Sequence, residues 1–164
     1  MTDRPLWAPW RIEYVTGPKE GECIFCAAAS SENTDPAHAP IDRTDRCITI
    51  LNAYPYAPGH VMVAPVRHIA AFEELDEEEA LDTMRLARRS ILAIRKAMNP
   101  DGFNVGLNLG KIAGAGIADH LHLHVVPRWN GDTNFMPLLA DTHVIPQALE
   151  ATQAILADAI AELP

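Results

Sequence analysis

Three histidines alternate with apolar residues in one short segment of the chain, His120-Leu121-His122-Leu123-His124-Val125-Val126. Alternation at period two predicts a half-buried β-strand. Because residues two apart in a strand share a face, the three imidazoles should form a row opposite the apolar side chains. Such a row suits two kinds of chemistry. Neutral imidazole binds metal ions, and one imidazole can attack phosphorus or carbon while its neighbours handle charge.

A second candidate is the pair Cys23 and Cys26, spaced as CxxC. A redox pair requires a thioredoxin-like βαβ context, which this N-terminal segment lacks. Two thiolates suit a tetrahedral metal ion, which then needs two further nitrogen or sulfur ligands. No second CxxC exists, and Cys47 falls in a predicted strand, where a small buried side chain is typical. Composition therefore favours a Cys₂His₂ site completed by His68 and His120.

A glycine-rich loop, Gly110 to Gly116, comes directly before the histidine segment. Glycines permit unusual backbone angles, so that backbone N–H groups can face an anion. The loop lacks the Lys-Ser/Thr pair of a P-loop. Two interpretations stay open at this point, an anion-binding loop and an ordinary surface loop.

The composition limits the class of protein. The chain has 164 residues with 48% hydrophobic and 21% charged residues, which is ordinary for one globular domain. No apolar run reaches the ~18 residues of a membrane span, and the first residues lack the apolar segment of a signal peptide, so we expect a cytoplasmic protein with no membrane partner. A net charge of −9 argues against nucleic acid as a partner. A locally positive site for a phosphorylated small molecule remains compatible with this charge.

The order of the predicted elements is that of an α+β fold with antiparallel strands. Strands are predicted over 46–51, 60–64, 102–109 and the histidine segment, and a last helix over 145–163. The long helix has Asp76 as its cap and stops at Asn99-Pro100. Its predicted apolar face consists of Ala80, Met84, Ala87, Ile91, Ile94 and Met98, widened by Leu81 and Leu92. We treat 1–164 as one domain, with an irregular N-terminal segment carrying the CxxC over 1–45, a core over 46–130, and a C-terminal extension and helix over 131–164.

The histidine segment resembles the motif of the histidine triad (HIT) family, His-φ-His-φ-His-φ-φ with φ apolar. The resemblance extends over most of the chain. Asn52 with Pro58–Val63 is similar to the family's nucleotide-pocket hairpin, and Asn108-Leu109-Gly110 to its Asn-x-Gly. Cys23, Cys26, His68 and His120 are similar to the ligands of a zinc-bearing bacterial branch. The segments 7–11, 54–56 and 126–129 resemble an actinobacterial branch that includes diadenosine tetraphosphate phosphorylases.

The resemblance implies a HIT-like antiparallel sheet of about five strands with two helices, in a chain that forms homodimers or larger assemblies. It implies cleavage of a nucleoside polyphosphate, of the diadenosine polyphosphate class, through a nucleotidyl-histidine intermediate. His122 would be the nucleophile, and His124 and His60 would bind phosphate oxygens. Substrate contacts are expected from Asn52, which would bind the ribose, and from Asn108, Gly110, Gly116 and Trp129. A structural zinc ion would lie on the Cys₂His₂ set.

The sequence departs from the family pattern at one place. Many members carry a Gln-Ser or Gln-Thr pair just before the triad, where it contacts phosphate. Ala115-Gly116 stands there in this chain, which leaves backbone N–H groups for that contact. Water and inorganic phosphate therefore remain equal candidates for the acceptor.

Two rival functions remain at the level of sequence. The first is a mononuclear zinc hydrolase in which His120, His122 and His124 share one ion, although residues two apart in a strand lie about 6.6–7 Å apart and converge poorly. The second is a nucleotide-binding or interaction module with little turnover. Consumption of adenosine polyphosphates distinguishes an enzyme from this module.

Overall fold

The computed structural model describes residues 23–30, 39–117, 119–132 and 148–164. The predicted α+β class is confirmed: five strands form one antiparallel sheet in the order β1-β2-β3-β5-β4. The predicted segment 7–11 and the predicted start of the last helix at 145 lie outside the described residues. The elements in chain order are α1 (Ile24–Ala29), β1 (Asp42–Arg43), β2 (Cys47–Leu51), β3 (Val61–Pro65), α2 (Glu77–Met98), β4 (Gly102–Leu107), β5 (Leu123–Arg128) and α3 (Leu149–Ala161).

Both faces of the central strands are covered, so every residue of β2 and β3 is buried. On one face, Leu51, Val63 and Val125 pack with α2 and α3 in the larger core. On the other face, Ile48, Ile50 and Met62 pack with Phe25 of α1 in a smaller core. Successive side chains of a strand point to opposite faces. The alternation along β2 therefore assigns Ile48 and Ile50 to the same side of the sheet as α1.

The loop between β3 and α2 is held by one ion pair. Arg67 donates two hydrogen bonds to the Glu79 carboxylate, at 2.9 and 2.7 Å, and a third to the Glu74 carbonyl. Glu79 also completes a capping box with Asp76 at the start of α2. The hydrogen bond from Arg67 lowers the pKa of the buried Glu79 carboxyl below its ordinary value. The ion pair thus fixes the backbone next to His68.

The buried face of α2 is rotated from the predicted one. Ala87 and Ile94 are buried as expected. Met84, Leu81 and Leu92, in contrast, are 59%, 50% and 37% exposed. The buried positions instead include three polar residues, Glu79, Thr83 and Ser90. Thr83 and Ser90 donate to the carbonyls four residues earlier, which removes the cost of burying their hydroxyls.

The predicted histidine strand begins later than the alternation indicates. β5 starts at Leu123, so that His120 and His122 precede it and only His124 lies within it. Leu123 pairs with Val63, and two residues further along this register would place Leu121 opposite Pro65, which has no N–H to donate. The Leu121 N–H bonds to the Ile69 carbonyl instead. The strand boundary at the site is therefore set by a proline on the neighbouring strand.

A glycine shapes the turn that leads into His60. Gly59 has φ +78°, and a Cβ at this position would lie 2.7 Å from the Met98 sulfur. Both the left-handed backbone and the contact with the end of α2 favour glycine here. In the described part of the chain, no helix combines the length and apolar character needed to cross a membrane.

Candidate functional site

Four side chains of the types that bind metal ions, from three parts of the chain, meet at α1. One ligand atom from each of Cys23, Cys26, His68 and His120 lies within 4.8 Å of the others. The Cys23 sulfur is 3.2 Å from His120 Nδ1, and the Cys26 sulfur is 3.2 Å from His68 Nδ1 and 3.7 Å from His120 Nδ1. A tetrahedral zinc ion with bonds of about 2.0–2.3 Å has ligand atoms about 3.3–3.8 Å apart. The observed distances are close to these, so the four residues fit one tetrahedral ion.

The protonation of His120 fits the same role. Its Nε2 lies 2.8 Å from the Pro65 carbonyl, and because a carbonyl only accepts, the ring proton is on Nε2. Nδ1 therefore presents its lone pair to the two sulfurs. Burial lowers the pKa of His120 below its ordinary value of 6.5. A neutral ring whose second nitrogen donates to a carbonyl is the usual form of a histidine ligand.

His122 has the protonation state of a nucleophile. Its Nδ1 lies 2.8 Å from the His120 carbonyl, so Nδ1 carries the proton and Nε2 keeps its lone pair. Burial also lowers the pKa of His122 below 6.5, and the ring is neutral near pH 7. Phe25 lies against it, with ring centroids 5.0 Å apart. The backbone carbonyl of His120, a residue of the Cys/His cluster, thus orients the His122 ring.

A chain of hydrogen bonds orients His124. The backbone N–H of Tyr56 donates to His60 Nδ1 at 3.1 Å, which places the His60 proton on Nε2. His60 Nε2 lies 2.9 Å from His124 Nδ1 and donates a hydrogen bond to it. The proton of a neutral His124 is therefore on Nε2. This ring is positioned to donate a hydrogen bond to an anionic ligand, and its centroid lies 4.8 Å from that of His122.

His122 and His124 line a mostly apolar cavity. Asn52 and Tyr54 from the β2–β3 turn line it, together with Gly116 from the glycine-rich loop. The Asn52 carbonyl oxygen accepts from the Tyr54 N–H, and its amide nitrogen lies 3.2 Å from His60 Nδ1. The apolar part of the wall consists of Ile24, Ile50, Leu51, Met62 and Ile117. A cavity with an apolar wall and convergent polar groups at one end is typical of a small-ligand site.

The other predicted substrate contacts are placed less directly. The β4–β5 register pairs Leu107 with Leu123, and one further step puts Asn108 opposite His122. Gly110 begins the loop that returns at Gly116. Trp129 follows the far end of β5, about 16 Å along the strand from His124, and does not line this cavity. The roles of these three residues in binding stay predictions.

The apolar wall was not found from the sequence as a binding surface. The alternation of side chains along β2 and β3 puts Ile50 and Met62 on the face opposite Leu51, so both could have been identified as wall residues. Ile24, which lines the cavity, and Phe25, which packs against His122, lie between the two cysteines. Their position in a short helix between two ligand residues was the signal that could have identified them.

The arrangement does not favour a zinc hydrolase that uses the whole histidine row. Among the described residues, the group able to hold a metal ion contains His120 with His68 and the two cysteines, but neither His122 nor His124. His120 Nδ1 faces the sulfurs, whereas His122 and His124 face the cavity. Of the three histidines, His120 therefore belongs to the candidate metal cluster, whereas His122 and His124 line the cavity.

Comparison with known proteins agrees with this geometry. The HIT domain family matches residues 36–131, more than half of the chain. The chain is 39% identical to the AP-4-A phosphorylase of Mycobacterium tuberculosis, over 97% of this chain and 85% of that protein. It is 32% identical to adenosine 5'-monophosphoramidase hnt1 of Schizosaccharomyces pombe, over 66% of this chain and 75% of that one.

A solved structure has the same fold. The zinc-bound histidine triad family protein from Mycobacterium smegmatis superimposes with a TM-score of 0.69 at 28% identity, covering 86% of this chain and 94% of that chain. Its bound zinc is consistent with the Cys/His cluster described above, which could hold a metal ion. The resemblance seen in the triad sequence is therefore confirmed, and the chain belongs to the HIT family.

Proposed function

We propose that the chain cleaves nucleoside polyphosphates at the α-phosphorus through a covalent nucleotidyl-histidine, with a dinucleoside tetraphosphate as the substrate class. The observation that carries this proposal is the pair of opposite protonation states at the cavity. His122 presents a lone pair on Nε2 while the neighbouring His124 presents a proton on Nε2. The AP-4-A phosphorylase relative supports the substrate class. Because both named relatives are enzymes, a binding module without turnover is not favoured.

In the first step, His122 Nε2 attacks the α-phosphorus. An N–P bond forms and the bond from phosphorus to the bridging oxygen breaks, so that the remaining nucleotide leaves with the electron pair on that oxygen. The imidazole ring gains positive charge, which the His120 carbonyl stabilises through its hydrogen bond to Nδ1. His124, oriented by His60, donates to a phosphate oxygen where negative charge develops.

In the second step, an acceptor oxygen attacks the same phosphorus and the N–P bond breaks, returning the electron pair to Nε2. Water gives a nucleoside monophosphate, whereas inorganic phosphate gives a nucleoside diphosphate. The apolar wall would hold the base, and Asn52 would contact the ribose at the mouth of the cavity. Backbone N–H groups near Gly116 would replace the side chains that the family usually places before the triad.

The Cys/His cluster would hold zinc in a structural role. Four protein ligands leave no open position for a substrate or a water molecule, so the ion would supply ligand bonds rather than Lewis acidity. In this role it would fix His120, whose carbonyl orients the nucleophile.

The acceptor is tested by product analysis with diadenosine tetraphosphate. If phosphate is the acceptor, the products should be ADP and ATP, and the rate should rise with phosphate concentration until it saturates. Chromatography of reactions with and without phosphate, using sulfate as the control for ionic strength, measures this. A rate indifferent to phosphate, with AMP among the products, leaves hydrolysis as the activity. The covalent intermediate is common to both outcomes.

We also propose that the protein is a homodimer. Its location in the cytoplasm stays a prediction. β4 lies at an edge of the described sheet, and its Val105 is 45% exposed. Beside this edge lies an apolar groove that includes Phe72, Met84 and Leu107. Phe72 and Met84 are 48% and 59% exposed. Unpaired edge strands and contiguous exposed apolar surfaces are typical of interfaces.

Sedimentation velocity is expected to give a dimer for the wild type at micromolar concentration. Met84→Asp should shift the distribution to monomer, because a carboxylate would be buried without a partner in a symmetric contact. Leu92→Asp is the control. Like Met84, Leu92 is an exposed apolar side chain of α2, but it does not line the groove. A monomeric wild type would contradict the proposal.

A further inference from the structure

The short helix α1 connects the metal cluster to the cavity. Cys23 is its N-cap and Cys26 is its third residue, and both belong to the Cys/His cluster. The two residues between them, Ile24 and Phe25, lie against the candidate active site. Ile24 lines the cavity. Phe25 is fully buried, and its ring centroid lies 5.0 Å from those of both His120 and His122. The position of the two cysteines therefore also sets the position of Ile24 in the cavity wall.

This helix has little stability of its own. It has six residues, and no side-chain hydrogen bond caps its N-terminus at Cys23. Isolated helices shorter than about 12–15 residues are marginal in water, so the position of α1 depends on tertiary contacts. Among the described residues, those contacts include the packing of Phe25 and Ala28 in the smaller core and the approach of both sulfurs to the imidazoles of His120 and His68.

We propose that metal binding at the Cys/His cluster and nucleotide binding in the cavity are thermodynamically coupled through Ile24 and Phe25. A metal ion on Cys23 and Cys26 fixes α1, so that Ile24 is already in place when the base of the nucleotide arrives. This inference rests on the proposed function, since it requires that the cavity bind a nucleotide. It assigns the metal cluster a role in substrate affinity, in addition to the support of the triad.

Coupling of two binding equilibria is reciprocal. If zinc increases the affinity for AMP by some factor, AMP must increase the affinity for zinc by the same factor. Couplings between sites are commonly 5- to 150-fold, and we expect about tenfold here. AMP is a suitable probe because it contains the base and the α-phosphate but has no bond for the enzyme to cleave between phosphates.

The first measurement is the dissociation constant of AMP by calorimetry, with zinc-loaded and zinc-free protein. The second starts from the loaded protein and measures the transfer of zinc to a chromophoric chelator at increasing AMP concentration. This second measurement does not require a folded zinc-free protein. We expect AMP to bind about tenfold more weakly without zinc, and saturating AMP to tighten zinc binding about tenfold.

A matched pair of variants tests the route of the coupling. Ile24 and Ile117 are the same residue type and line the same cavity, but Ile117 lies in the glycine-rich loop and not between metal ligands. Ile24→Ala should keep one zinc per chain and reduce the coupling to below about twofold. Ile117→Ala should also weaken AMP binding, but by the same factor in both metal states, so that the tenfold coupling remains.

Failure of the coupling is distinguishable from failure of the proposed function. If loaded wild-type protein binds AMP and cleaves diadenosine tetraphosphate, but zinc affinity changes less than twofold with AMP, the coupling is wrong and the proposed function stands. Equal coupling in the two isoleucine variants likewise overturns the assigned route. If the loaded protein neither binds AMP nor cleaves the tetraphosphate, the proposed function and the coupling are both wrong.

Discussion

Replacing His122 by alanine is expected to lower kcat for diadenosine tetraphosphate about 10⁴-fold or more, the scale seen when a covalent nucleophile is removed. The reason is the unshared electron pair on Nε2, which the hydrogen bond from Nδ1 to the His120 carbonyl keeps in place. The neighbouring His124 cannot replace it, because the proton of His124 is on the nitrogen that faces the cavity. Initial rates measured over a range of substrate concentrations give the comparison.

The interpretation of that variant depends on an intact fold and an intact metal site. His122→Ala should keep one zinc per chain, since the ligand atoms belong to other residues, and the thermal midpoint should report a folded protein. The wild type should yield an acid-labile protein-bound nucleotide when quenched during turnover, and the variant should yield none. Near-normal rates in the variant would rule out the covalent mechanism.

The features that repeat along the chain were predictable from the sequence. Short runs bounded by a Pro/Gly-rich turn identified β2 and β3, alternation identified the residues around His124, and the capping residue Asp76 marked the start of α2. The side assignments also followed, because alternate residues of a strand must point to opposite faces. The cluster of Cys23, Cys26, His68 and His120 was predicted as a metal site from donor chemistry and resemblance, and the structure brings these four together.

The features that the sequence did not predict depend on contacts between distant elements. The start of β5 is set by Pro65 on another strand, which no periodicity within the histidine segment contains. The buried face of α2 includes Thr83 and Ser90, whose hydroxyls are satisfied within the helix, so a face predicted from apolar residues alone omits them. The protonation states of His60 and His124 require knowing that the Tyr56 N–H reaches His60.

Loss of the metal ion is expected to give the largest change in stability. A ligand present at a thousandfold its dissociation constant stabilises the folded state by about 4 kcal/mol, and for a domain of this size each kcal/mol shifts Tm by about 2–4 °C. Cys23→Ala, which removes one of four ligands, should therefore lose its zinc and melt about 8–16 °C below the wild type. Elemental analysis and differential scanning calorimetry measure the two effects.

The third cysteine supplies a matched control for that experiment. Cys47 is fully buried in the larger core, with its sulfur 3.5 Å from the Thr83 hydroxyl, and burial raises the pKa of its thiol. It is therefore a thiol in an apolar setting and not a metal ligand, so Cys47→Ala should keep one zinc per chain. Both variants delete one sulfur atom from the chain, but only Cys23→Ala should make the melting temperature insensitive to a chelator. Zinc retained in Cys23→Ala and lost in His122→Ala would instead place the ion on the catalytic histidines, and the division of the row into one ligand and two catalytic residues would be wrong.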